Sequence, residues 1–149
     1  MAGAPTVYYG DEAGVCGFTD PDNRRTYPWG HEDKELIDFH KAAIKMHKEN
    51  EVLRTGSYKQ LYSAHNVIAY GRFTSDDAVI VVVNNGEDEI RVNIPAWETG
   101  LAMDDDVEQI MVTFEGGYST DRQGYRLKDG ILNIGLRKTS ATVLRRLRW

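Results

Sequence analysis

The sequence contains a single cysteine, Cys16, and this scarcity excludes two ways of stabilising a small domain. A lone cysteine cannot form an intrachain disulfide, and it cannot assemble a cysteine-based zinc site. Because unpaired thiols are typical of reducing compartments, the cysteine content favours a cytoplasmic location.

Long apolar runs and an excess of positive charge are also absent. No stretch reaches the roughly 20 apolar residues that span a bilayer, so we expect no membrane partner. The formal net charge of −5 argues against nucleic acid, whose binding requires a basic face. A basic cluster is interpreted as outward positions that alternate along two strands rather than as a phosphate site: Arg137, Lys138, Arg145, Arg146 and Arg148.

The residue patterns of common catalytic and cofactor sites are missing as well. No glycine-rich loop leads into a helix as a phosphate site requires, and no serine lies in a Gly-x-Ser-x-Gly turn. The histidines do not pair at the three- or four-residue spacing of metal ligands: His31, His40, His47 and His65. We therefore expect no cofactor, no metal ion and no catalytic residue in this chain.

What remains is an ordinary globular composition, with 41% hydrophobic and 28% charged residues in 149. Residues 1–55 predict a short strand at residues 4–9, a long loop at residues 10–32 and one helix. Asp33 can cap this helix, which runs to about Glu49. Its apolar residues recur at three- and four-residue spacing and predict one buried stripe: Leu36, Ile37, Phe39, Ala43, Ile44 and Met46.

Residues 56–149 predict a second domain made of strands. Turn-forming residues separate eight β-rich runs, at residues 58–63, 67–73, 78–84, 90–94, 109–113, 118–125, 131–134 and 141–147. Residues 79–83 are apolar on both faces, which predicts a central strand, and Asp129-Gly130 favours a tight turn. The predicted fold class is mainly β, an antiparallel β-sandwich of about eight strands preceded by one long α-helix.

The long loop combines side chains that sugar-binding sites use together. Carboxylates and guanidiniums exchange paired hydrogen bonds with neighbouring hydroxyls, and aromatic faces cover the C–H surface of a sugar ring. These side chains belong to Asp11, Glu12, Asp20, Asp22, Arg24, Arg25, Tyr27 and Trp29. In the alternative interpretation, Asp20, Asp22 and Arg24 only hold the loop in shape through ion pairs and turn caps.

Residues 3–12, Gly-Ala-Pro-Thr-Val-Tyr-Tyr-Gly-Asp-Glu, resemble the eighth barrel strand of glycoside hydrolase family 13, the α-amylase family, and the start of the following loop. Residues 38–56 resemble the eighth barrel helix and the connection to the C-terminal domain, except that Glu51 stands where many relatives have proline. The loop between them is similar to the neopullulanase, cyclomaltodextrinase and maltogenic amylase branch at Asp20, Pro21, Asp22, Arg24, Arg25, Pro28 and Trp29.

This resemblance implies a parent enzyme that hydrolyses α-glucosidic bonds with retention, using Asp, Glu and Asp residues on earlier barrel strands. Residues 1–55 are then a remnant of the catalytic barrel (eighth strand, long loop, eighth helix), and residues 56–149 are the C-terminal β-sandwich domain. Retention needs two carboxyl groups about 5–5.5 Å apart on rigid supports, so Asp11 and Glu12 are not the catalytic pair. Carried over position by position, Asp20 and Arg24 match loop residues that contact the donor-side sugar, and they are our candidate substrate-binding residues.

The leading hypothesis is the C-terminal part of an α-glucan hydrolase, inactive alone, whose complete form binds an α-glucan or maltooligosaccharide. The alternatives are a free-standing carbohydrate-binding β-sandwich module and a sandwich interaction domain without sugar chemistry. A sequence that opens within a barrel strand is expected to be a fragment. Its strand and helix would lack their barrel neighbours, and we expect residues 1–30 either to be disordered or to join a homodimer through the orphaned helix.

Overall fold

A computed structural model describes residues 5–147, and it divides them into a unit of residues 5–49 and a unit of residues 50–147. The first unit contains one helix, α1 (Lys34–Glu49). Asp33 caps this helix as predicted, since the Leu36 N–H donates a hydrogen bond to Asp33 Oδ1 at 3.0 Å. Two short 3-10 turns, Asp11–Ala13 and Asp22–Arg24, shape the loop that precedes the helix.

Two predictions for this unit are wrong. Residues 5–9 form no strand, because no segment among residues 5–147 pairs with them and an isolated strand leaves its backbone groups without partners; Ala4 lies outside the described residues. The apolar stripe of α1 is not buried either, and Ile44 remains 45% exposed. One helix beside a loop offers too little apolar surface to cover such a stripe.

The unit of residues 50–147 begins with the short helix α2 (Val52–Thr55), and strands follow it. The strands are β1 (Ser57–Ala64), β2 (Val67–Phe73), β3 (Ala78–Asn84), β4 (Ile90–Pro95), β5 (Asp106–Phe114), β6 (Gly117–Ser119), β7 (Gln123–Arg126), β8 (Ile131–Leu136) and β9 (Ser140–Arg146). One sheet has seven strands in the order β1-β2-β3-β9-β5-β6, with β7 also paired to β5, and β4 and β8 form a second sheet. Every pairing is antiparallel, which confirms the predicted fold class.

The strand predicted at residues 118–125 is in fact two strands. Both β6 and β7 pair with the same edge of β5, and the chain leaves that edge between them. The side chain of Gln109 stabilises this departure, since its Nε2 donates a hydrogen bond to the Asp121 carbonyl at 3.0 Å. Sequence alternation cannot show such a break, because it depends on a side chain of another strand.

The central position of β3 is confirmed. This strand lies between β2 and β9, and all of its residues except Val83 are buried. Its residues Ala78, Ile80 and Val82 belong to the core, whereas Val79 and Val81 alternate with them and face the other side of the sheet. Burial on both faces is the property of β3 that its uninterrupted apolar sequence predicted.

The second sheet covers the core with one face and meets solvent with the other. Alternate residues of β4 and β8 enter the core: Val92, Ile94, Leu132, Ile134 and Leu136. On the outer face, Arg91 Nη1 donates to Asn133 Oδ1 at 2.6 Å, and Asn133 Nδ2 donates to Asn93 Oδ1 at 2.7 Å. This cross-strand ladder satisfies the polar groups on the face that packing leaves open.

The turn before β8 follows its local sequence. Asp129 and Gly130 both have positive φ, of 52° and 75°, as a two-residue type I′ turn requires. The flanking residues close the turn with two backbone hydrogen bonds, from Ile131 N–H to Lys128 O at 2.9 Å and from Lys128 N–H to Ile131 O at 3.1 Å. The predicted tight turn is therefore confirmed.

The basic cluster does not occupy alternating outward positions, so that prediction is wrong. Arg137 and Lys138 lie in the connection between β8 and β9, and Lys138 pairs with Glu115 at 2.9 Å. The adjacent residues Arg145 and Arg146 pair with Asp77 at 2.6 Å and Asp105 at 3.1 Å. These acids come from distant parts of the chain, so local charge counting missed them; Arg148 lies outside the described residues.

Neither α1 nor α2 has the length and apolar character that a membrane-crossing helix needs, and the described residues contain no other α-helix.

The packing of β3 predicts how two neighbouring substitutions differ. Val82 is fully buried in the core, so Val82→Asp would place an unpaired charge there and destabilise the domain by more than about 3 kcal/mol. Val83 is only partly buried on the opposite face, so Val83→Asp should cost about 1–2 kcal/mol. Urea unfolding followed by circular dichroism measures both. Equal losses of stability in the two variants would contradict the assignment of the faces.

Candidate substrate-binding loop

The start of the loop is held by turn chemistry. Gly10 and Gly14 flank the 3-10 turn Asp11–Ala13 with φ values of 85° and 77°, a region that glycine enters without strain. Asp11 Oδ2 accepts a hydrogen bond from the Tyr8 N–H at 2.8 Å. The Asp11 carboxylate is therefore engaged in shaping the backbone, which agrees with its exclusion as a catalytic group.

Asp20 and Arg24, the two candidate substrate-binding residues, lie side by side. Arg24 Nε approaches Asp20 Oδ1 at 2.7 Å, and Arg24 Nη2 donates to Asp20 Oδ2 at 3.1 Å. The contact is therefore a bidentate pair, placed across the 3-10 turn Asp22–Arg24. Both side chains remain accessible, with 71% of Arg24 and 59% of Asp20 exposed. An ion pair this exposed contributes little to stability.

Asp22 and Arg25 form a second, separate pair with a structural role. Arg25 Nη2 and Nε both donate to Asp22 Oδ1, at 2.7 and 2.9 Å. The other oxygen, Asp22 Oδ2, accepts the Phe18 N–H at 2.9 Å. The Arg25 guanidinium first, and the Phe18 N–H second, lower the pKa of the Asp22 carboxyl below its ordinary value.

Two aromatic rings follow the charged residues. The ring centroids of Tyr27 and Trp29 lie 4.6 Å apart with their planes tilted by 50°, and Trp29 is 79% exposed. Desolvation chiefly, with the charges of Glu12 and Glu32, raises the pKa of the Tyr27 hydroxyl. The indole of Trp29 thus presents apolar surface to solvent on the loop that carries Asp20 and Arg24.

The arrangement can bind but offers no catalytic constellation of its own. The structure brings Asp20 to Arg24 and Asp22 to Arg25, as two pairs rather than one cluster of carboxylates. Among residues 5–147, no group of three His, Cys, Asp or Glu side chains is placed to hold a metal ion. The pairing could have been anticipated from sequence, because the partners stand four and three residues apart on either side of one turn.

The pKa of Asp22 provides a test of the loop geometry. A lowered pKa means that the pair stabilises the loop fully above the ordinary aspartate pKa, and that this contribution disappears as the pH falls through the lowered value. In a carboxyl ¹³C NMR titration, Arg25→Ala should raise the pKa of Asp22 towards its ordinary value. Arg24→Ala is the matched control and should leave it unchanged. If Arg24→Ala moved it as much, the two pairs would not be separate.

No family model matches the chain. Over 96 residues, 57% of the chain, it is 45% identical to an amylopullulanase of Thermoanaerobacter thermohydrosulfuricus. It is 41% identical over 87 residues to a cyclomaltodextrinase of Thermoanaerobacter pseudethanolicus, again 57% of the chain, and 33% identical over 102 residues, 66% of the chain, to neopullulanase 2 of Thermoactinomyces vulgaris. The chain spans only 6%, 15% and 17% of these three relatives.

A solved structure extends the similarity across both units. The chain resembles an Anoxybacillus α-amylase with a TM-score of 0.76 and 25% identity, over 95% of this chain and 28% of that one. The predicted resemblance to glycoside hydrolase family 13 is thereby confirmed: the chain is similar over about 60% of its length to amylopullulanases, cyclomaltodextrinases and neopullulanases, and its β-sandwich matches the C-terminal domain of α-amylases.

Proposed function

We propose that this chain is the C-terminal part of an α-glucan hydrolase of the α-amylase and neopullulanase type, acting on α-glucosidic bonds of starch-derived oligosaccharides. The observation that carries the proposal is the similarity to an amylopullulanase, a cyclomaltodextrinase and a neopullulanase. On this proposal residues 1–55 belong to the catalytic barrel and residues 56–149 form the C-terminal sandwich domain. The chain alone is inactive, because retaining chemistry requires carboxylates positioned by several barrel strands.

The role proposed for Asp20 and Arg24 is to bind sugar hydroxyls. Their mutual contact engages two guanidinium N–H groups, and a guanidinium has five. The remaining donors can reach one hydroxyl while the carboxylate accepts from its neighbour, so the pair is already oriented when the sugar arrives. The separate Asp22–Arg25 pair supports this geometry by holding the turn on which Arg24 stands.

The test compares the isolated chain with the longer enzyme proposed here. The 149-residue chain should release no reducing sugar from maltooligosaccharides above the blank, whereas the longer enzyme should. In that enzyme, Arg24→Ala should lower kcat/KM about ten- to a hundredfold, mainly through KM, because a charged hydrogen bond to substrate is lost. Arg122→Ala, on the sandwich, is the control and should have no effect. Unchanged kinetics for Arg24→Ala would assign the pair to loop structure alone.

We also propose that the chain forms a homodimer through α1. No residue of α1 is buried, and Ile44 on its apolar stripe is 45% exposed. A second copy of the same helix is a partner of matching chemistry, since burying apolar stripes against each other is favourable. A cytoplasmic location is a further proposal, which the exposed free thiol of Cys16 supports.

Light scattering at several protein concentrations tests the dimer. The mass should rise from one to two chains with concentration, and Ile44→Glu should keep it at one chain by placing a charge on the contact face. Lys45→Glu changes the neighbouring exposed position and should leave association unchanged. A monomer at every concentration, or equal effects of the two substitutions, would overturn the proposal.

A further inference from the structure

A cleft of about 430 Å³ opens within the sandwich, on the side of β5 where β6 and β7 meet. Its walls come from β5, β9, the β6–β7 edge and the end of β8, all within the unit of residues 50–147. Its volume falls in the range of small-molecule sites. The cleft is separate in sequence from the loop of residues 10–32.

Two irregularities of the sheet coincide at this cleft. The register of β5 against β9 shifts between Gln109 and Met111, which marks a β-bulge, and the opposite edge of β5 is interrupted between β6 and β7. Gln109 links the two features, because its amide reaches across to the Asp121 carbonyl at 3.0 Å. Bulges of this kind redirect side chains and are frequent beside binding sites.

The lining is rich in uncharged hydrogen-bonding groups next to aromatic rings. Gln109, Ser140 and Thr142 are buried in the wall, at 8%, 5% and 4% exposure, while Gln123 is exposed at the mouth. Phe114 and Tyr125 add ring surface, and both are partly buried. Amides and hydroxyls match sugar hydroxyls, and aromatic faces match the C–H surface of a pyranose ring.

The charges at the cleft favour a neutral ligand. Arg137 is the basic side chain of the lining, and its guanidinium lies 5.4 Å from the centroid of the Phe114 ring. Asp121 lines the same cleft, so an anion would meet a carboxylate as well as the cation. A neutral hydroxyl can instead accept from the guanidinium and donate to the carboxylate.

We propose that this cleft is a second carbohydrate site, which binds one or two sugar rings of a neutral oligosaccharide away from the catalytic barrel. The inference rests on the proposed function only for the choice of an α-glucan as probe. It gives the sandwich domain a role in holding polymeric substrate, and it requires no chemistry from this chain.

Calorimetric titration of the complete 149-residue chain with maltotriose, with inorganic phosphate as the anionic comparison, tests the proposal. Maltotriose should bind with a millimolar dissociation constant and phosphate should not bind. Gln123→Ala and Arg137→Ala should each weaken maltotriose binding about tenfold. Arg122→Ala, beside the cleft but paired with Glu108, and Arg24→Ala in the loop should leave binding unchanged.

Thermal unfolding of each variant shows whether it is folded, and Gln123→Ala keeps the test decisive if Arg137→Ala is not. Absence of saturable maltotriose binding would overturn the proposal. So would loss of binding in Arg24→Ala with none in Gln123→Ala, which would place the sugar on the loop, or displacement of maltotriose by phosphate. Each of these readouts is independent of hydrolysis by the longer enzyme, so the two proposals fail separately.

Discussion

The position of β9 between β3 and β5 is the constraint on which the sandwich depends. Without this last strand, β1–β3 and β5–β7 would be separate pieces with open edges, and Leu144 would be missing from the core. The Asp77–Arg145 pair joins the ends of β3 and β9 across 68 residues of sequence, with Nη2 and Oδ2 2.6 Å apart and only 10% of the aspartate side chain exposed. A partly buried bidentate contact of this kind favours one register of the two strands.

The same sheet explains why binding surfaces arise where they do. Its centre is uniform, because β3 is buried on both faces and tolerates no break. Its far edge is irregular, because β5 must pair with β9 on one side and with both β6 and β7 on the other. The bulge at Gln109 accommodates these demands, and the cleft is the space that results.

Charge in this protein is used mainly for structure, and the exceptions indicate function. Lys138, Arg145 and Arg146 are each matched by a carboxylate from another part of the chain. Two arginines differ from these. Arg24 is paired but 71% exposed on its loop, and Arg137 is placed by an aromatic ring at the cleft. The two proposed sugar contacts therefore share one feature, a guanidinium that is oriented and still has donors to offer.

The sequence by itself determined the local features: the Asp33 cap, the turn at Asp129-Gly130, the central β3 and the β-sandwich class. Each depends on residues close together in the chain, which periodicity and turn chemistry report directly. It also named Asp20 and Arg24, although only as types suited to sugar. Tertiary structure decided the rest, including the absence of a strand at residues 5–9, the exposure of the α1 stripe and the division of residues 118–125 into two strands. The acid partners of Arg145 and Arg146 and the cleft around Gln109 belong to the same group, because each is created by contacts between segments distant in sequence.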